Sequence, residues 1–421
     1  MKKRWIKRTG IGLLIIAVMV AVAGVIELCR PGTVMCPLRQ VAEKIGLDIP
    51  LPELTPEQEA KAKSTAATWK LELLNEFPNL QVVPREVPEQ ENGYLQLYHL
   101  KDKAQTANGL RDLFQAWKGI DFEIARRELE ANPDWVQQVE GIASLTQRSS
   151  MNLPETLDAW PDGRSCKLAI DTMMLKSRLA ARDRNEAESL RCMIVAGNLI
   201  DHLQDIETPC YYTETITILL HLSRCRFIID EILPNLGPSA DLALWRKQLK
   251  RYTPTPQRLA AVTRGEWHIA ADHLTLPNFI SDHQRRALID PRAAARTWSR
   301  CLLLCSQKLQ SISLQDMEQL DKMVLAELSR EERERAEELD MFFGFWNRGF
   351  IRAARLHARA LAAIDLLALE RSRSNLQDSD SSKVTPDPLT QQPFLLDATA
   401  RTLTLPGDFP DYSDDPLKLP W

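Results

Sequence analysis

The stretch CKLAIDTMMLKSRLAARDRNEAESLRCMIVAGNLIDHL, residues 166–203, decides the fold class. In its second half Leu190, Met193, Ile194, Gly197 and Ile200 fall at offsets 0, 3, 4, 7 and 10, the spacing of one face of an α-helix. The junction from Arg182 to Asn185 leaves room only for a tight reversal. The pattern predicts helices over Cys166 to Ala181 and Glu186 to Leu203, folded back on each other as an antiparallel hairpin.

Helix signals recur on both sides of this hairpin. Thr55-Pro56-Glu57-Gln58 supplies a cap, a proline at the first helical position and a capping-box glutamine, opening a helix to about Phe77. Further helices are expected from Glu89 to Tyr98, over 121–131 and over 134–149, the last two parted by Asn132-Pro133 because proline cannot continue a helix but can start one. From Thr213 to Leu233 the apolar residues occur nearly all round, so this helix is expected at the centre, between neighbours. Asp241 to Tyr252, Thr255-Pro256, Asp290-Pro291, Ser313 to Asp316, the box Ser329-Arg330-Glu331-Glu332 and the run from Arg352 to Glu370 complete the series. Period-two alternation occurs only around Phe394 to Leu405, where a small hairpin could form.

The composition agrees with a helical class. Glycine accounts for 16 of 421 residues, well below the usual share of about 7% and too few for a turn-rich β architecture. With 44% hydrophobic and 26% charged residues the chain is neither disordered, collagenous nor a polytopic membrane protein. A net charge of -4 gives no basic footprint for nucleic acid. The expected fold is all-α, an irregular helical bundle or a TPR-like α-solenoid, with one N-terminal transmembrane helix and a small C-terminal β-hairpin-like tail. The boundaries read as a basic stub and anchor over 1–28, a linker over 29–54, a helical domain over 55–374, a linker over 375–386 and an acidic module over 387–421.

The two ends of the chain carry opposite charge. Lys2, Lys3, Arg4, Lys7 and Arg8 precede the uncharged run TGIGLLIIAVMVAVAGVI, residues 9–26, which is near the lower limit for spanning a bilayer. The positive-inside rule then keeps the N-terminus cytoplasmic and puts the bulk of the chain on the extracytoplasmic, periplasmic side, with the membrane engaged through residues 10–28. A cleaved secretory signal is the alternative, since Ala21-Val22-Ala23 forms an A-x-A site and cleavage would follow Ala23. Both readings export the body. Cys29 and Cys36, flanking a Pro-Gly turn, are the best disulfide candidate among the eight cysteines. Cys301 and Cys305 share a helix face and read as buried thiols. Cys166, Cys192, Cys210 and Cys225 show no zinc-type spacing, so neither a metal nor a cofactor is expected in the body.

Two resemblances add to this. Val87-Pro88-Glu89-Gln90-Glu91-Asn92-Gly93, Glu130-Ala131-Asn132 leading into Val136 to Leu145, the hairpin quoted above, and Tyr252-Thr253-Pro254-Thr255-Pro256-Gln257-Arg258-Leu259 followed by Arg264-Gly265-Glu266 resemble a group of uncharacterised membrane-anchored helical proteins of planctomycete-like bacteria. That likeness implies an exported helical domain on an anchor and carries no activity with it. The tail, from Asp387-Pro388 through Leu403 to Phe409 and on to Trp421, is similar to the closing segment of type II secretion major pseudopilins, which implies an acidic calcium loop. Asp411, Asp414 and Asp415 would be its ligands. The loop's usual glycines are missing here, and so is a prepilin N-terminus.

The densest polar cluster is Glu266-Trp267-His268-Ile269-Ala270-Ala271-Asp272-His273, with His268 and Asp272 one turn apart. Metal-dependent or acid/base chemistry would start from Glu266, His268, Asp272 and His273, given a further group from elsewhere. The spacing matches neither H-E-x-x-H nor E-x-x-H, and a surface pair beside a core Trp267 is the plainer reading. His202, with Asp201 and Asp205, reads as a helix-end histidine favoured by its helix's carbonyl terminus. Phosphate loops, G-x-S-x-G elbows and Cys/His nucleophile signatures are absent from the sequence. The reading favoured over an enzyme is a scaffold or interaction protein of the cell envelope, with other envelope proteins as partners. A secretion-apparatus accessory with a calcium-binding tail is a further alternative.

Overall fold

In a computed structural model of the chain, the residues described are 55–83, 85–104, 107, 109–110, 113, 120–150, 161–271, 291–338, 344–372, 384–406 and 417–419. They are mostly helical: α1 Pro56–Glu76, α2 Gly93–Ala104, α3 Phe122–Ala131, α4 Pro133–Ser144, α5 Gly163–Arg182, α6 Glu186–Gln204, α7 Tyr211–Phe227, α8 Leu242–Leu249, α9 Pro256–Ala271, α10 Pro291–Leu309, α11 Leu320–Ala326, α12 Arg330–Glu338 and α13 Gly344–Arg371. Three short strands follow, β1 Leu395–Asp397, β2 Thr402–Thr404 and β3 Leu417–Lys418, in the order β1-β2-β3 and antiparallel throughout. Leu395 faces Thr404 across the β1–β2 hairpin. None of the described helices is long and apolar enough to cross a membrane, and residues 9–26 lie outside the described set.

The local signals work as capping chemistry requires. Thr55 Oγ1 accepts from the Gln58 amide while Gln58 Oε1 accepts from that of Thr55, and Ser329 and Glu332 repeat this exchange. Between α5 and α6, Arg184 takes a left-handed φ of 61° and the amides of Asp183, Arg184 and Asn185 return to the carbonyls of Leu179, Ala181 and Ala180. Asn185 Oδ1 then caps α6 by accepting from the Glu188 amide. That reversal produces the expected hairpin. α4 stops at Ser144, short of the expected 149. Side chains of α6 take its last carbonyls, Asn198 at Ala143 and His202 at Ile142, which frees residues 147–149 to pair with Asn92 and Gly93.

The chain divides into two compact units. The first comprises Met1–Gln81, Trp267–Cys305 and Asp321–Phe342. Within it Trp267 is fully buried, and its indole N–H donates to Ser299 Oγ at 2.8 Å. Arg296 pairs with Glu76 at 2.8 Å and Arg300 with Glu332 at 3.2 Å, tying α10 to α1 and α12 by largely exposed contacts that add little stability individually.

The second unit comprises Val82–Glu266, Ser306–Leu320 and Phe343–Trp421. Its core is one apolar cluster drawn from α2, α4, α5, α6, α7, α8 and α13, completed by Phe394 and Leu403 from the tail. The central element differs from the expected one. α7 keeps a strip open to solvent, with Tyr212, Leu219, Ser223 and Arg226 exposed. It is α13 that is buried nearly all round, from Ile351 to Leu367. α13 carries Arg355, His357, Arg359 and Asp365 among its alanines and leucines, so its hydrophobic pattern looks interrupted. Described partners satisfy Arg355, His357 and Asp365. Asp387 holds Arg355 through two bonds of 2.9 Å, Leu249 O accepts from His357, and Asp365 meets Arg246 and Thr385.

Candidate functional site

The residues expected to carry chemistry are used structurally where they are described. Glu266 Oε2 accepts from the Tyr211 amide at 3.0 Å and so serves the first turn of α7, within the second unit. Burial raises the Glu266 carboxyl pKa, and that amide bond opposes the shift. His268 belongs to the first unit. Its Nε2 lies 2.7 Å from Leu80 O, and its ring stands edge-on to Trp267 with centroids 5.1 Å apart. Two positions apart on α9, the two residues sit about 200° apart around the helix. Asp272, His273, Asp411, Asp414, Asp415, Cys29 and Cys36 lie outside the described residues.

His202 keeps its expected place but not a solvated one. It stands in the last turn of α6, as expected, but is fully buried there, with Nε2 2.9 Å from Ile142 O, and a carbonyl can only accept, so Nε2 carries the proton. Burial lowers its pKa to about 4, against the opposing influence of that bond. The ring is neutral at pH 7, and its role is to join α6 to α4. Gly93 makes this possible, since a Cβ there would stand 2.2 Å from the ring's Cε1. Asn92 completes the joint by exchanging hydrogen bonds with both the carbonyl and the amide of Ser149 at 3.0 Å.

A different cluster, in the second unit, has the composition of a ligand-binding centre. His221 and Cys225 lie one turn apart on α7 and therefore share a face. His357 reaches them from α13, and one ligand-type atom from each of the three lies within 4.8 Å of the others. All three are buried. Cys225 Sγ lies 3.4 Å from His221 Nε2, and the two imidazole centroids are 5.3 Å apart. His357 Nε2–H donates to Leu249 O at 2.8 Å, which fixes its tautomer and leaves the lone pair on Nδ1. Burial lowers the pKa of both histidines, and the nearby His357 and Arg224 push His221 further the same way. Burial also pushes the Cys225 thiol up to about 12. The centre at rest is two neutral imidazoles and a thiol.

Its surroundings are polar and hydrogen-bonded. Tyr252, its ring 5.0 Å from His221, donates its hydroxyl to Glu214 Oε1, and Arg258 holds Glu214 Oε2 at 2.9 and 3.0 Å. Arg224, next to Cys225 in sequence, is fully buried and donates to Gln248 O, Met193 O and Gln248 Oε1. Burial lowers its pKa to about 10, so it is still a cation at neutral pH. In the sequence the only trace of this centre is the i, i+4 pair of His221 and Cys225. Its third member lies 132 residues further on, beyond the reach of a spacing motif.

All six described cysteines, Cys166, Cys192, Cys210, Cys225, Cys301 and Cys305, are free and buried. No family model, curated protein or solved structure matches this chain.

Proposed function

We propose that this chain is a membrane-anchored extracytoplasmic helical protein, acting as a non-enzymatic scaffold or protein-interaction module of the cell envelope. The observation that carries this reading is the use of Glu266 and His268, the polar residues best suited by sequence to chemistry. Each is spent on a main-chain partner, Tyr211 N or Leu80 O. Partly buried charges are likewise engaged in joining elements, as with Arg251 and Asp201 between the end of α8 and α6, or Arg258 and Glu214 between α9 and α7. Helical packing of this kind offers extended surface for partners, and the α5–α6 hairpin supports a TPR-like reading of part of it. Five cations ahead of the apolar run at 9–26 support the anchor and its orientation.

The test is cross-linking of the full-length protein in intact cells, detergent extraction of the membrane fraction and identification of what co-purifies. A reproducible set of envelope proteins, enriched over a control that carries only residues 1–54, is the expected result. Recovery of the chain in the soluble cytoplasmic fraction, or capture of background alone, would overturn the proposal.

A further inference from the structure

We infer that His221, Cys225 and His357 form a three-coordinate site for monovalent copper that fastens α7 to α13. The ligand set is two imidazole nitrogens and one sulfur, a combination selective for soft or borderline transition ions rather than for calcium or magnesium. One ligand-type atom of each residue already lies within 4.8 Å of the other two, on two packed helices, so a modest contraction with a choice of ring nitrogen would bring the three side chains around one ion. His357 donates its Nε2 proton to Leu249 O, the backbone support that commonly orients a metal-binding histidine.

Charge selects the ion. On binding, the Cys225 S–H bond breaks, a copper–sulfur bond forms and the proton leaves to solvent, with no change of oxidation state. Cu+ with one thiolate gives a centre of zero net charge. Zn2+ with the same ligands would leave one positive charge in a buried space beside the Arg224 cation, whose described partners are uncharged oxygens. An uncompensated buried charge is costly. Coordination number points the same way, because structural zinc is almost always four-coordinate and the described residues bring three ligands together here. The site stands independently of any partner the protein binds.

The test uses the purified full-length chain, loaded anaerobically with Cu(I) in competition with a chromophoric chelator. One equivalent is expected to bind, with affinity falling at least about 100-fold in Cys225→Ser, at or beyond the loss that follows removal of a metal ligand's outer-shell support. Cys301→Ser, at a thiol outside the site, should bind as the unaltered chain does. X-ray absorption of the copper-loaded unaltered protein gives a readout that does not depend on any variant folding, and one sulfur with two nitrogens is the expected shell. A shell of two or more sulfurs, affinity unchanged in Cys225→Ser, or displacement of the copper by an equal concentration of Zn2+ would each overturn the inference.

Discussion

Arg355 on α13 and Asp387, thirty-two residues later, meet through two parallel hydrogen bonds of 2.9 Å, with side chains only 1% and 0% exposed. Pro406 O accepts from the same guanidinium at 3.0 Å. The Asp387 carboxylate also accepts from the Thr390 amide and hydroxyl, so one residue shapes the turn that opens the tail and fastens it to the core.

Removing one partner of such a pair strands the other. Asp387→Ala should therefore destabilise the protein by about 3–5 kcal/mol in chemical denaturation. Because Asp387 holds the turn as well, Arg355→Met should cost less, and the double variant should be no worse than Asp387→Ala alone. Additive losses would show that the two side chains are not coupled.

Gly93 and His202 make a second testable contact. Gly93→Ala puts a methyl group 2.2–2.6 Å from ring atoms that Ile142 O holds in place. Overpacking of this kind should cost about 1–3 kcal/mol. Combining it with His202→Ala should give a loss smaller than the sum of the two, as measured by urea midpoints at constant m-value.

Acid should loosen the fold through the same histidine. The folded-state pKa of His202 is lowered from 6.5 to about 4, so between those values the unfolded chain binds a proton that the folded one does not. Stability is thus fully present above about pH 6.5 and falls as the pH drops toward 4, by about 3 kcal/mol from this residue. His221 and His357 are shifted in the same direction and steepen the loss. A stability–pH profile of His202→Gln should have a slope in this window lower by close to one proton. An unchanged slope would remove His202 from the account.

Glu266 separates a structural from a catalytic role. As the acceptor for the Tyr211 amide it should cost about 1 kcal/mol when changed to alanine, the scale of a lost helix cap. Glu266→Gln keeps an acceptor oxygen and should retain most of the stability in thermal unfolding. A carboxylate needed for chemistry would not be replaced by glutamine in any activity assay.

Features that depend on near neighbours were legible in the linear chain: the helical class, the capping boxes at Thr55 and Ser329, the hairpin turning at Arg182 to Asn185, and the paired strands around Phe394 to Leu405. Caps, turns and helical faces are built within a few residues, so their signals survive in a linear reading. Tertiary structure decided which helix lies at the centre and which polar residues come together. α13 looks interrupted in sequence because Arg355, His357 and Asp365 break its apolar run. It is buried because Asp387, Leu249 and Arg246, each distant along the chain, satisfy those groups. His202 reads as a helix-end residue until Ile142 and Gly93 close around it and make it part of the core. The centre at His221 and Cys225 acquires its third member only when α13 packs on α7, because the ligands of a buried site are gathered by packing rather than by spacing.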